Sequence, residues 1–320
     1  MKTLFTCFLI LLSVVTFAQR QNVYFFKNNG RQVHIRDSAD YTRVVREPDS
    51  GSVYYKVLEY YLSGKPKRTG QSSTIDPIKL EGTCTNYFDT GKQRNVLNYR
   101  NGLLANDQFY YYPNGKLKEV RNYPDSLNKN KAPYNQAYLI TTFNDTTGAA
   151  LVTNGTGRYV DYNEGFTRAI TQGDVKNGQK DGEWNMVIGK DSIFIKENYS
   201  NGKLVTGTAK FVNGESYTYT QPEKLPEYNG GIQAFYKFLS KTLRYPELAY
   251  KNRIQGKVIV SFIVEKDGSL SNVRATDNTV AEILNTEAIR VLSLSPKWIP
   301  AIQYGRPVRV TYTVPVVFKL

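Results

Sequence analysis

The side chains that most often do covalent or metal chemistry are scarce in this 320-residue sequence: one histidine, His34, and two cysteines, Cys7 and Cys84. A thiol nucleophile needs a base beside it, and His34 is the sole imidazole that could serve Cys84, so Cys84 is expected to be a small buried apolar residue. No cluster of Cys and His has the spacing of a zinc site, and no glycine-rich loop has phosphate-binding spacing. Asp and Glu are scattered without a recognisable pair, which leaves only carboxylates brought together by folding as an acid–base route. The expectation is a protein that is not an enzyme and carries no cofactor or metal.

Cys7 belongs to an amino-terminal stretch that reads as an export signal over residues 1–18: Lys2, an apolar run from Leu4 to Phe17, and small residues before a cleavage point near Gln19. That run would make a helix of about 21 Å, short of a hydrocarbon core of about 30 Å, so an anchor is the weaker reading. With Cys84 then alone, the exported chain has no internal disulfide. A formal net charge of +14 favours acidic partners, such as anionic headgroups or envelope polymers. No Arg-rich stripe or basic recognition helix speaks for nucleic acid.

Over residues 19–220 an aromatic repeatedly stands three positions before a glycine, usually with lysine next: Tyr61 with Gly64-Lys65, Phe88 with Gly91-Lys92, Tyr112 with Gly115-Lys116 and Tyr199 with Gly202-Lys203. The first three glycines recur at intervals fitting one supersecondary unit per repeat. Asn-Gly pairs at Asn101-Gly102, Asn114-Gly115, Asn177-Gly178 and Asn201-Gly202 accept positive φ at low cost and close two-residue hairpins. The units at 111–123 and 177–187 resemble MORN-type repeats, which implies an elongated β-hairpin array acting as a non-catalytic platform. Most tyrosines are then expected to stack as core.

The hairpin pattern stops at residues 221–226, a proline-bearing linker, and a second domain over residues 227–320 is expected after it. Ile232, Phe235, Leu239 and Leu243 fall on one helical face, and Pro246 suits the start of a short second helix. A strand through Val258, Val260, Phe262 and Val264 turns at Asp267-Gly268 into a second strand from Leu270. Leu284, Ala288 and Leu292 mark a third helix. In the last strand Val308, Val310, Tyr312, Val314, Val316 and Phe318 face one way. The fold class is therefore mainly β with an α+β carboxy-terminal domain, a two-layer sandwich.

This order, with Tyr245-Pro246-Glu247, Ile254-Gln255-Gly256, Asp267-Gly268, Glu287-Ala288-Ile289-Arg290, Pro296-Lys297-Trp298 and Pro307-Val308-Arg309-Val310, resembles the C-terminal domain of the TonB family in its Bacteroidota version. The resemblance implies that the final strand lies at a sheet edge, where a peptide from an outer-membrane transporter adds as a further strand along Val308, Arg309, Val310, Thr311, Tyr312, Thr313 and Val314. Pro315 fits an edge, since proline cannot donate to a central ladder. The resemblance also places Arg244, Tyr245 and Pro246 where the family meets the transporter, although packing under the sheet and helix initiation are the plainer roles of Tyr245 and Pro246. Trp298 is expected in the core at a loop. The motor-coupled anchor and Pro-rich spacer of a complete transducer are missing from the pattern. Two readings stand: a periplasmic or envelope protein binding transporter peptides in energy-coupled transport, or a non-catalytic scaffold whose repeats hold membrane, cell wall or protein.

Overall fold

The computed structural model describes residues 20–128, 136–163, 165–189, 192–276 and 281–320. The stretch read as an export signal, residues 1–18, and the cleavage point expected near Gln19 lie outside them. Among the described residues no helix is long and apolar enough to cross a membrane. The chain divides into two compact units, Met1–Gly157 with Val175–Gln179, and Arg158–Asp174 with Lys180–Leu320.

The first unit is a succession of antiparallel strands. Tyr41–Arg46, Tyr55–Tyr61, Pro66–Ser72, Leu80–Tyr87 and Gln93–Arg100 each pair with the next. The aromatic-to-glycine spacing has a direct backbone cause. At Tyr61, Phe88 and Tyr112 the aromatic carbonyl accepts from the glycine N–H three residues on, and the aromatic N–H donates to the carbonyl of the following lysine. Gly64, Gly91 and Gly115 sit at φ of +83°, +91° and +92°, the left-handed region that closes this tight turn with a bulge. Asp145 to Gly148 makes the same turn without an aromatic. Asn114-Gly115 therefore belongs to the bulged class rather than the two-residue class expected of it, whereas Asn101-Gly102 and Asn177-Gly178 have positive φ at both residues. Asn201-Gly202 does too, so Tyr199 is not the aromatic of a bulged turn. The strand pleat gives each hairpin one buried row, in which Val45, Val57 and Cys84 are almost wholly enclosed. Enclosure pushes the Cys84 thiol up to about 11, as an inert buried residue requires, while His34 is exposed.

In the second unit the hairpins continue as β1 (Gln179–Ile188), β2 (Ile193–Ser200), β3 (Lys203–Phe211) and β4 (Ser216–Tyr219). Then follow β5 (Glu223–Lys224), α1 (Gly231–Thr242), α2 (Glu247–Lys251), β6 (Gly256–Val264), β7 (Leu270–Ala275), α3 (Glu282–Ser293), β8 (Ala301–Gln303), β9 (Arg306–Val308) and β10 (Val310–Phe318). The segment read as a linker thus carries a strand: Glu223 and Lys224 pair with Gln303 and Ile302 of β8.

β6 is flanked by β7 and β10, all antiparallel. Its even-numbered residues Val258, Val260, Phe262 and Val264 point into the core with Val314, Val316 and Phe318, and α1 and α3 contribute Phe235, Leu239, Leu284, Ala288 and Leu292. Trp298 lies at the hub, with ring centroids 5.3–5.8 Å from those of Tyr228, Phe235, Phe262 and Tyr312, and its indole N–H donates to Ser295 Oγ. Burying such a ring contributes about 2–3 kcal/mol. The helix face of α1 departs from expectation at its first turn: Ile232 is 56% exposed, and Ala234 and Phe238 pack on the core instead.

Candidate functional site

β10 is the last strand of its three-stranded sheet, and the direction of its free backbone groups can be deduced. Ile259 of β6 accepts a hydrogen bond at its carbonyl from Thr276 N–H, on the β7 side. In an antiparallel ladder one residue's N–H and C=O point the same way, so the odd-numbered residues of β6 serve β7 and the even-numbered ones serve β10. The register pairs Ile259 with Pro315 and Ser261 with Thr313, with no bulge between β6 and β10. Hence Thr311, Thr313, Pro315 and Val317 turn their backbone groups away from β6, and among the described residues no strand receives them. Proline at 315 therefore breaks no bond of the folded sheet.

The sheet has a second edge, and the two differ. β7 carries a bulge between its pairings with Ser261 and Ile263, Asn272 there adopts φ +51°, and the charged Arg274 follows. Bulges and charges are the usual protection against unwanted strand addition. β10 has neither: its nine residues are Val, Thr, Tyr, Pro and Phe, regular over about 27 Å at roughly 3.4 Å per residue. An edge so left can complete its ladder with an extended peptide.

The residues named from the sequence are distributed along this edge rather than gathered. Val310, Tyr312 and Val314 bond inward to β6, while Thr311 and Thr313 face out. Val308 does not begin the strand. It pairs with Ala301 in the β8–β9 hairpin, closed by Tyr304 and Gly305 at φ of +50° and +79°, and Arg309 is the break between the two sheets. The open ladder is thus shifted to 310–318. The unanticipated hairpin had a signal in Tyr304-Gly305, a two-residue turn flanked by short strands. Arg309 is bound by Glu265, with Nε 3.0 Å from Oε1.

Arg244, Tyr245 and Pro246 lie toward the other end of β10. The Tyr245 ring stands edge-on to Phe318 at 5.9 Å, and its hydroxyl donates to Ile254 O at 2.6 Å. Pro246 precedes α2 as its N-cap. Arg244 is exposed, but its backbone N–H donates to Glu287 Oε1 at 2.6 Å. Arg290 binds the same carboxylate through Nε and Nη2 and reaches Thr242 O. Hydrogen bonds from Arg290, then the Arg244 N–H, hold the Glu287 carboxyl below its ordinary range despite burial. Glu287 and Arg290 thus position the 242–246 loop. Sequence reasoning assigned them no role, though a Glu-Arg pair at i, i+3 on an apolar helix face was the available signal.

Residues 241–320 match the family described as Gram-negative bacterial TonB protein C-terminal. The chain is 31% identical over 62 residues to the protein TonB of Helicobacter pylori strain J99 and to that of strain 26695, a stretch covering 19% of this chain and 22% of each relative. It thus spans about a fifth of the length of those relatives. Two solution structures of the H. pylori TonB C-terminal domain are similar, one at 26% identity over 29% of this chain and 88% of that one with a TM-score of 0.23, the other at 25% over 28% and 91% with 0.22.

Proposed function

We propose that this chain is an exported, TonB-like protein of the cell envelope whose C-terminal domain binds a peptide of an outer-membrane transporter by strand addition to β10, in energy-coupled transport or as an accessory to it. The reading rests chiefly on the contrast between the two edges of the sheet, one bulged and charged, the other regular and uncharged. The family match over residues 241–320 supports the choice of partner. Its physics is ordinary: the peptide supplies carbonyls to the N–H groups of Thr311, Thr313 and Val317, and its alternate side chains lie on the outer face beside those of Thr311, Thr313, Pro315 and Val317. Each main-chain bond contributes about 0.5–1.5 kcal/mol. Lacking an N–H, Pro315 leaves one rung unmade, so pairing is strongest along 311–314.

The array over residues 19–220 and its MORN-like character belong to the same proposal, as a spacer or platform with a basic surface suited to anionic envelope polymer or membrane. The test is photo-crosslinking from position 313 of the full chain in envelope preparations, followed by identification of the linked peptide. Linkage to the periplasmic segment of a transporter, weakened strongly in Thr311→Pro, whose N–H faces outward within the strongest stretch, is expected. Linkage to cell-wall or lipid material alone would replace the reading with that of a scaffold.

A further inference from the structure

A groove of about 590 Å³ opens where the last hairpins of the array meet the turn before β10. Phe211, Val212 and Val308 supply its apolar lining, Lys266, Arg306 and Arg309 its charge, and no carboxylate is among the lining residues. Val212 is 72% exposed, although an apolar side chain beside three cations gains nothing from solvent. Arg306 and Arg309 have partners in Glu215 and Glu265, whereas Lys266 has no carboxylate partner among the described residues.

The two walls are held together. Tyr304 packs edge-on to Tyr219 at 5.8 Å and its N–H donates to Pro222 O at 2.6 Å, while the Arg306 guanidinium lies 4.7 Å over the Phe211 ring. At Gly305 a Cβ would come within 2.9 Å of Tyr217 Cβ, so the β8–β9 turn lies flush on β4. The groove is also continuous with the open ladder. Its lining residues Val308 and Arg309 directly precede β10, and the outward backbone row starts at Thr311.

The geometry points to a second recognition element, resting on the strand-addition reading. We infer that an incoming strand running past Thr311 places its next two or three residues in this groove, which selects an apolar residue flanked by acidic ones. Phe211, Val212 and Val308 receive the apolar side chain, and Lys266 with the two arginines receives the carboxylates. The array is thereby part of the peptide reader.

The test uses the full chain and synthetic ten-residue peptides with a common Thr/Val segment, carrying Glu-Leu-Glu or Lys-Leu-Lys at either end, with binding read by fluorescence anisotropy. The Glu-Leu-Glu peptide should bind about fivefold to tenfold tighter than its lysine counterpart, at one end only, and less so at high salt. Lys266→Glu, an exposed change, should erase that preference, and Thr313→Pro should weaken every peptide. If all peptides bind alike, or the preference survives Lys266→Glu, while Thr313→Pro still weakens them, the groove is overturned and strand addition stands. Binding indifferent to Thr313→Pro, or absent for every peptide, overturns both.

Discussion

The hairpin array and the C-terminal domain place their charge and their apolar surface differently. In the array, carboxylates are buried: Glu59 is 1% exposed between Arg43 and Arg68, Glu119 is gripped by Arg121, and Glu197 accepts hydrogen bonds from the hydroxyls of Tyr199 and Tyr219. Burial first, then the Glu197 contact, drives the Tyr219 phenol well above its ordinary range. One apolar cluster there is small, formed by Ile195, Ala209 and Tyr219. The C-terminal domain instead gathers one apolar cluster from three helices and three strands. A hairpin finds its partner a few residues away and can afford polar networks in narrow layers. β6 and β10 pair Gly256 with Phe318, a long loop closure offset by a dense core.

The sharpest way to break this comparison is Phe262→Ala, which should cost about 3–5 kcal/mol and lower the first thermal transition, because its ring meets Trp298 and Tyr312 in the core. A glycine pair comes next. Gly64 and Gly268 occupy the same turn at φ of +83° and +82°, but a Cβ at Gly268 would stand 2.0 Å from the Trp298 carbonyl oxygen whereas nothing lies within 4 Å at Gly64. Gly268→Ala should therefore cost about 3 kcal/mol and Gly64→Ala about 1–2, measured by chemical denaturation. Equal costs would mean that the turn carries the effect and the core none.

Glu59→Ala is expected to cost about 2 kcal/mol by leaving Arg43 and Arg68 without their shared carboxylate, and Glu59→Ala with Arg43→Ala to recover part of it in a double-mutant cycle. Additive losses would deny the network. The Glu287 carboxyl, lowered in the fold, stabilises fully above an unfolded carboxylate value of about 4.3 and ceases to do so as pH falls through its lower folded value. Melting of Glu287→Gln should consequently depend less on pH across the acid limb below about pH 4. Smallest of all is Thr313→Pro, expected to shift stability by less than about 1 kcal/mol since its N–H faces away from β6. Val314→Pro breaks a ladder bond and should cost about 1–3 kcal/mol. Reversal of that order would place the open row on the other parity.

Much of the local architecture was legible. Asn101-Gly102 and Asn201-Gly202 announce two-residue hairpins because few residue pairs accept two positive φ angles, and Tyr61 to Gly64 announces a bulged turn through its glycine. Asp145 to Gly148 escaped the pattern because the turn needs the glycine and not the aromatic. In the C-terminal domain the alternation of β6 revealed its buried row. The diversion of Val308 into β9 was hidden, since a valine before Arg309 fits either sheet equally well. Ile232 misled for a related reason: helical spacing reports a shared face, not how far along the helix that face remains covered.

Residue types alone determined which side of β10 is buried, because alternating Val, Tyr and Phe can satisfy water and core in one way only. They also determined where the chain reverses, through Gly and Asn. Which backbone edge stays unpaired was decided by the tertiary structure. Every residue but proline offers the same N–H and C=O, so nothing in the side chains of Thr311 or Thr313 records whether a neighbour is present. That depends on the order in which β7, β6 and β10 come together, and Pro315 is the one residue of β10 whose own chemistry leaves a trace of it.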